Sequence, residues 1–287
     1  MPRHCVPRND TGHPEISEWE QEMAKPWHEL EALDKPEILQ FIFYPRKDFF
    51  EISAAANLIT DTIPVDMAVS VSYCFYFSDK KRPNILFFHG NGETASDYEP
   101  IGSAYNQIGV NLFVADYRGY GRSGGKPTLT SMIEDAHPIF EGFKRVLKER
   151  GFSGNLFIMG RSLGSASAVE LASHYQSQLS GLIIESGFAN VFNLLDYLGF
   201  PLEALGIDVP KVPSSLNLIR KISLPTLVMH GDCDQIVPVE EGKALYDGIG
   251  ARDKRLLIIP GVDHNTIFMG GMEQYLQALK DFVSAHS

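Results

Sequence analysis

Gly160-Arg161-Ser162-Leu163-Gly164 stands between the apolar run Leu156-Phe157-Ile158-Met159 and the small-residue segment Ser165-Ala166-Ser167-Ala168-Val169. An apolar strand that turns abruptly into a helix at a G-x-S-x-G serine is the geometry of an activated nucleophile. The turn forces the serine into strained backbone angles, and flanking glycines keep strand and helix from colliding. The same turn aims the unpaired N–H groups of a helix start at the reacting oxygen. A serine hydroxyl is a poor nucleophile until a base takes its proton. Ser162 therefore requires a histidine, and that histidine a carboxylate to orient it.

Around the serine, short apolar strands are predicted at 85–88, 110–115, 156–159, 182–184, 226–229 and 255–259. Helical patterns fall near 98–108, 131–149, 163–174, 239–248 and 272–285. Such alternation implies a mostly parallel sheet covered on both faces, with ligands bound beyond the carboxyl ends of the strands. Segments 38–44 and 69–77 are β-rich with no long helical pattern between them, which predicts antiparallel strands at the sheet edge. The interval between Ile184 and Thr226, about forty residues, is too long for a simple crossover. Its apolar residues from Phe188 to Leu205, interrupted by Pro201, Pro210 and Pro213, predict a small cap over the site at about 187–222. A core helix followed by a long loop is the plainer alternative.

Residues 1–37 read as a leader and accessory helix, and 38–287 as the main domain. Ile16, Trp19, Met23, Trp27, Leu30 and Leu33 recur at spacings of three and four, on one helical face. The many glutamates of that segment speak against an anionic membrane surface. The net charge of −11 argues against nucleic acid, which calls for clustered Lys and Arg. Three scattered cysteines, Cys5, Cys74 and Cys233, form neither a disulfide framework nor a thiolate metal site, which fits a reducing compartment. No apolar stretch has the length of a membrane span and no signal core stands at the N-terminus, so the expectation is a cytoplasmic protein without stable membrane insertion. The oligomeric state is not legible.

Two stretches offer partners for Ser162. His230-Gly231-Asp232-Cys233-Asp234-Gln235-Ile236-Val237-Pro238 follows one predicted strand and holds two candidate acids, Asp232 and Asp234. Pro260-Gly261-Val262-Asp263-His264-Asn265 follows the next and holds the candidate base, His264. Both lie just past a strand's carboxyl end, on the same sheet edge as Ser162.

With these residues the chain resembles a serine hydrolase of the α/β-hydrolase superfamily, most closely the single-domain acyl hydrolases of the Bem46 and ABHD type. The motifs are Phe87-Phe88-His89-Gly90-Asn91-Gly92, Asp116-Tyr117-Arg118-Gly119-Tyr120-Gly121-Arg122-Ser123, the serine turn, H-G-x-x-D-x-x-V-P and the final Asp263-His264. The resemblance implies an α/β-hydrolase fold, with a mostly parallel eight-stranded sheet, helices on both faces and a small cap insertion. It implies Ser162 as nucleophile, Asp234 rather than Asp232 as acid, and His264 as base, in the chain order of that superfamily. The backbone N–H groups of Leu163 and Asn91 are the implied oxyanion donors. His89 and His230 read as structural, and Arg161 as packed or paired away from the reacting centre. Glu185 and Asp196 occupy the region where some hydrolases carry their acid instead.

The implied activity is two-step hydrolysis of a small-molecule carboxylic ester or thioester through an acyl-enzyme, with no metal or organic cofactor. His264 must be neutral to act as base, so activity is expected to fall on acidification. The apolar stretch 188–205 points to a small or medium hydrophobic acyl group. A related acyltransferase or peptidase shares the machinery. A non-catalytic binding module on the same scaffold is the reading from a different class, but it would have no physical need for an intact triad and a glycine-rich oxyanion loop.

Overall fold

Buried residues alternate between the two faces of the central strands, and that alternation sorts the helices into two layers. The computed structural model describes residues 27–48, 57–210 and 213–287. Its strands are β1 (Leu58–Pro64), β2 (Ser70–Tyr76), β3 (Asn84–Phe88), β4 (Asn111–Ala115), β5 (Leu156–Arg161), β6 (Gly181–Glu185), β7 (Thr226–Gly231) and β8 (Lys254–Ile259). The α-helices are α1 (Pro36–Ile42), α2 (Glu99–Gln107), α3 (Leu129–Arg150), α4 (Gly164–His174), α5 (Val191–Tyr197), α6 (Ser214–Lys221), α7 (Val239–Gly248) and α8 (Ile267–Ala285). On one face Ile85, Phe87, Val114 and Met159 meet Tyr105 of α2 and Tyr275 and Phe282 of α8. On the other, Leu86, Phe88, Phe113 and Ile158 meet apolar side chains of α3, α4, α6 and α7.

All eight strands form one sheet in the order β1-β2-β4-β3-β5-β6-β7-β8. β1 and β2 pair antiparallel, as do β2 and β4; every later pair is parallel. This is the α/β-hydrolase fold. The exchange of β3 and β4 sets β3 beside β5, with Phe88 opposite Gly160, so the loop after β3 emerges next to the serine turn. Gly231 lies opposite Ile259, which brings the loops after β7 and β8 together on the same edge.

One expectation is corrected. Residues 38–44 do not form a strand: they overlap α1, which opens with Pro36 at its first position and carries Glu37 in its first turn. Proline there is preset for a helix, and that outweighs the β propensity of Ile38, Phe41 and Ile42. The strand paired antiparallel with β2 is instead β1, where Leu58 lies opposite Tyr76 and Pro64 opposite Ser70. Pro64 is tolerated because β1 is an edge strand. Most of the expected amphipathic segment 15–33 lies outside the described residues. Its end is a 3-10 helix, His28–Leu33, whose Leu30 and Leu33 are buried with Trp27 in the α3 layer.

The interval 187–222 divides in two. Its second part, α6, packs against α4 and α7 as an ordinary covering helix. Its first part, α5 and the turn after it, sets the Phe200 ring edge-on to Phe41 of α1 at 5.3 Å, while Lys35 donates to the Leu205 carbonyl at 2.6 Å. Tyr197 Oη reaches the Gln235 carbonyl, 3.4 Å away in the loop after β7. Among the described residues no helix is long and apolar enough to cross a membrane.

Candidate active site

Only Ser162 and Leu163 separate β5 from α4, so the chain reverses within two residues. Ser162 has φ of 50°, in the left-handed region that side chains rarely enter. The flanking glycines answer a measurable constraint. A Cβ on Gly160 would lie 2.4 Å from the Gly164 carbonyl oxygen, and one on Gly164 would lie 2.1 Å from the Phe88 carbonyl oxygen. Ser162 N donates to the Glu185 carbonyl at 2.9 Å, and Ser165 Oγ donates to the Ser162 carbonyl at 2.6 Å, which locks the strained turn from both sides.

Residues far apart in sequence meet at this turn. His264 Nε2 stands 2.9 Å from Ser162 Oγ, and His264 Nδ1 stands 2.7 Å from Asp234 Oδ2. All three side chains are buried. Asp234 Oδ1 accepts from the amides of Ile236 and Val237 at 2.9 and 2.8 Å. Burial by itself would raise this carboxyl, but hydrogen bonds from His230, His264 and the Val237 amide outweigh it and hold the group well below the ordinary carboxylate range. His230, fully buried, places Nε2 2.8 Å from the Val237 carbonyl and 3.4 Å from Asp234 Oδ2, so it braces the acid's loop.

The other candidates take structural positions. Asp232 Oδ1 accepts the Gly261 amide at 2.6 Å and so ties the loop after β7 to the loop after β8. Asp263 Oδ1 accepts from the amides of Asn265 and Thr266 and from Thr266 Oγ1, which shapes the turn that presents His264. Asp196 is exposed on α5. The Cys233 thiol is pushed up by its hydrogen bond to the Asp232 carboxylate, which leaves it protonated and unsuited to attack.

The loop after β3 carries Asn91. Its side-chain Oδ1 accepts from the Tyr44 amide at 2.9 Å and from Tyr120 Oη at 2.8 Å, so the side chain anchors the loop. Among the described residues, neither the Asn91 nor the Leu163 amide donates to a protein acceptor, which leaves both available to a ligand oxygen. His89 braces the same loop: its Nδ1 faces the Gly90 carbonyl at 2.8 Å and its Nε2 lies 3.3 Å from Asp116. Asp116, also buried, accepts from Ser72 Oγ and the Ala95 amide, which makes the glycine-rich 116–125 loop a frame under the site.

Arg161 is the residue whose part sequence reasoning missed. It is paired, as expected, but its pairs join the loops of the site. Its Nε meets Glu185 at 2.9 Å, its Nη1 meets Glu93 at 2.7 Å, and its Nη2 donates to the His264 carbonyl at 2.6 Å. Glu93 in turn accepts the Gly90 amide at 2.7 Å and Tyr98 Oη at 2.6 Å. One guanidinium thus ties the Asn91 loop, the end of β6 and the His264 loop to the serine turn. Glu185 accepts from Tyr275 as well as Arg161, so it does not serve His264 as an alternative acid. The available signal was the presence of an acid, Glu93, two residues after Asn91, and a base, Arg161, one residue before Ser162.

A profile of the family described as serine aminopeptidase, S33, matches residues 79–202 and 212–268, more than half of the chain. The chain belongs to that family of α/β-hydrolases. Protein bem46 of Schizosaccharomyces pombe is 30% identical over 213 residues, covering 72% of this chain and 69% of the relative. Human alpha/beta hydrolase domain-containing protein 17B is 31% identical over 211 residues, covering 72% and 68%. Among solved structures, a Pyrococcus furiosus esterase aligns with a TM-score of 0.69 at 15% identity, covering 85% of this chain and 98% of its own. A soluble variant of monoglyceride lipase from Saccharomyces cerevisiae aligns at 0.64 and 18%, covering 83% and 98%. At such identities these structures support the fold alone. Family membership makes this protein a serine-hydrolase-type α/β-hydrolase.

Proposed function

We propose that this α/β-hydrolase cleaves carboxylic ester or thioester bonds of a small or medium hydrophobic acyl substrate through an acyl-enzyme on Ser162. The observation that carries the reading is the unbroken line from Asp234 through His264 to Ser162 Oγ, with spacings of 2.7 and 2.9 Å. Asp234, held ionised, fixes the proton on His264 Nδ1 and leaves the Nε2 lone pair facing the serine hydroxyl. As Oγ attacks, its proton passes to Nε2, and the nearby carboxylate stabilises the imidazolium that forms. The amides of Leu163 and Asn91 then receive the oxyanion, a contribution of about 3 kcal/mol for a single donor. His264 returns its proton to the departing alkoxide or thiolate, and then draws one from the water that releases the acid.

The preference for an apolar acyl group rests on α5 and the turn after it, which we take as the cap. Tyr197 and Leu198 are exposed there, as are Phe41 on the adjoining α1 and Ile236 beside the acid. The test is turnover of p-nitrophenyl and acyl-CoA esters of graded length by the wild type and Ser162→Ala. Wild-type turnover that favours acyl over charged or peptidyl substrates, and vanishes in the variant, is the expected result. Turnover by folded Ser162→Ala, or cleavage of aminoacyl amides alone, would overturn it.

A further inference from the structure

Away from the serine turn, the far end of α4 collects a second group of side chains with chemistry. Glu170 and His174 are one helical turn apart and share a face, and His137 projects toward them from α3. His137 Nε2 lies 3.0 Å from Glu170 Oε1, and His174 Nδ1 lies 3.2 Å from the same oxygen. The three candidate ligand atoms all fall within 4.8 Å of one another. A tetrahedral ion with bonds of ~2.0–2.1 Å needs donors about 3.3 Å apart, close to the separations of 3.0 and 3.2 Å.

Two further observations go beyond proximity. Glu170 is only 3% exposed, yet among the described residues no lysine or arginine pairs with it; it faces two imidazoles instead. A buried carboxylate without a fixed cation is costly, and a divalent ion would supply that charge. The atoms behind the prospective ligands are also held as an outer shell would hold them. Tyr175 Oη meets His137 Nδ1 at 3.0 Å, which fixes the ring with Nε2 facing inward. The Trp27 indole N–H donates to Glu170 Oε2 at 2.5 Å, which leaves Oε1 for the cluster. Ligating histidines and carboxylates are typically supported through their second polar atom in this way. Both histidine side chains are partly exposed, 31% and 43%, so an ion has a route in and water a coordination position.

We propose that His137, Glu170 and His174 bind a divalent transition-metal ion of the zinc class. Two imidazoles and one carboxylate suit zinc better than magnesium or calcium, which take oxygen ligands. The ion clamps α3 to α4 and, through Glu170, holds Trp27 and the chain entering the domain. His174 Nδ1 also lies 3.0 Å from both the Glu170 carbonyl and Ser173 Oγ, and metal binding exchanges those contacts for the ion. Glu170, the member of the cluster nearest Ser162 in sequence, is eight residues along the chain from it, about 12 Å at helical rise, so the ion acts on the framework, not on the reacting atoms.

The test is calorimetric titration of the chelator-treated full chain with Zn2+, and optical titration with Co2+, whose visible bands report four-coordinate nitrogen and oxygen ligation. One equivalent should bind with Kd below ~1 μM. Loss of a ligand in His137→Asn or His174→Asn should weaken this by at least about 100-fold, and Trp27→Phe, which removes only the outer hydrogen bond, by about 10-fold. His174→Asn, at an exposed position, keeps the measurement independent of folding. Absence of stoichiometric binding would mean a hydrogen-bonded cluster only and overturn the proposal. Full affinity in His174→Asn would place the ion elsewhere and overturn it too.

Discussion

Replacing Arg161 by lysine keeps a positive charge beside Glu93 and Glu185 but removes the planar fork that reaches Glu185, Glu93 and the His264 carbonyl at once. A single ammonium can satisfy part of that set, so about two charge-assisted hydrogen bonds are lost. At roughly 1.5–3 kcal/mol each, partly recovered by water and relaxation, the net loss is about 3 kcal/mol of stability. For a domain of this size that is a fall in Tm of roughly 6–12 °C. The catalytic effect is separate: without the tether, the His264 and Gly90 loops shift relative to Ser162. Misplacement by about 1 Å costs about 100-fold, and the loss should fall on kcat with KM little changed, because the tether sets geometry and not acyl binding. Asn265→Ala, which loses only a 3.4 Å contact to the same guanidinium, is the control and should behave close to wild type. Thermal melts and p-nitrophenyl ester kinetics on the three proteins decide the matter. A lysine variant with wild-type Tm and kcat would refute the clamp.

Gly164→Ala drives a Cβ to within 2.1 Å of the Phe88 carbonyl, a backbone contact that cannot yield, and should cost more than about 3 kcal/mol, read as lost soluble yield or a depressed melt. Asp234→Asn should lower kcat by about 10^4-fold through the wrong imidazole tautomer, whereas Asp232→Asn, which loses a charge but keeps an Oδ1 acceptor for the Gly261 amide, should lower it by less than about 10-fold. The reverse order in steady-state kinetics would exchange the two roles. Because Asp234 titrates below its unfolded value of about 3.9, its stabilisation is complete above about pH 5 and is lost as pH falls through the folded pKa. The gap between the urea midpoints of wild type and Asp234→Asn should therefore be constant from pH 7 to about pH 5 and narrow only below about pH 4, on the way down to the folded pKa.

The sheet was legible because its central strands are buried on both faces and read as short apolar runs between helical patterns. Ser162, Asp234 and His264, the three residues that meet at the serine turn, were legible because each stands in a short motif just past one of those strands. What failed was governed by context. Residues 38–44 have strand-like side chains but follow a proline that starts a helix, and β1, broken in pattern by Asp61 and Pro64, is an edge strand with little buried surface. The interval 187–222 left a cap and a core helix with a long loop both open, since the amphipathic pattern of α6 fits either role. Arg161 and Glu93 are 68 positions apart and the His137 cluster spans two helices. Neither spacing announces a contact, and only the β3–β5 pairing and the packing of α3 on α4 create them.

Stoichiometric labelling with a fluorophosphonate, located by peptide mass spectrometry, tests the central claim most directly. One adduct per chain is predicted, on Ser162. It should be absent in folded Ser162→Ala and strongly slowed in His264→Ala. An adduct on another residue, or unchanged labelling of Ser162→Ala, would contradict the account.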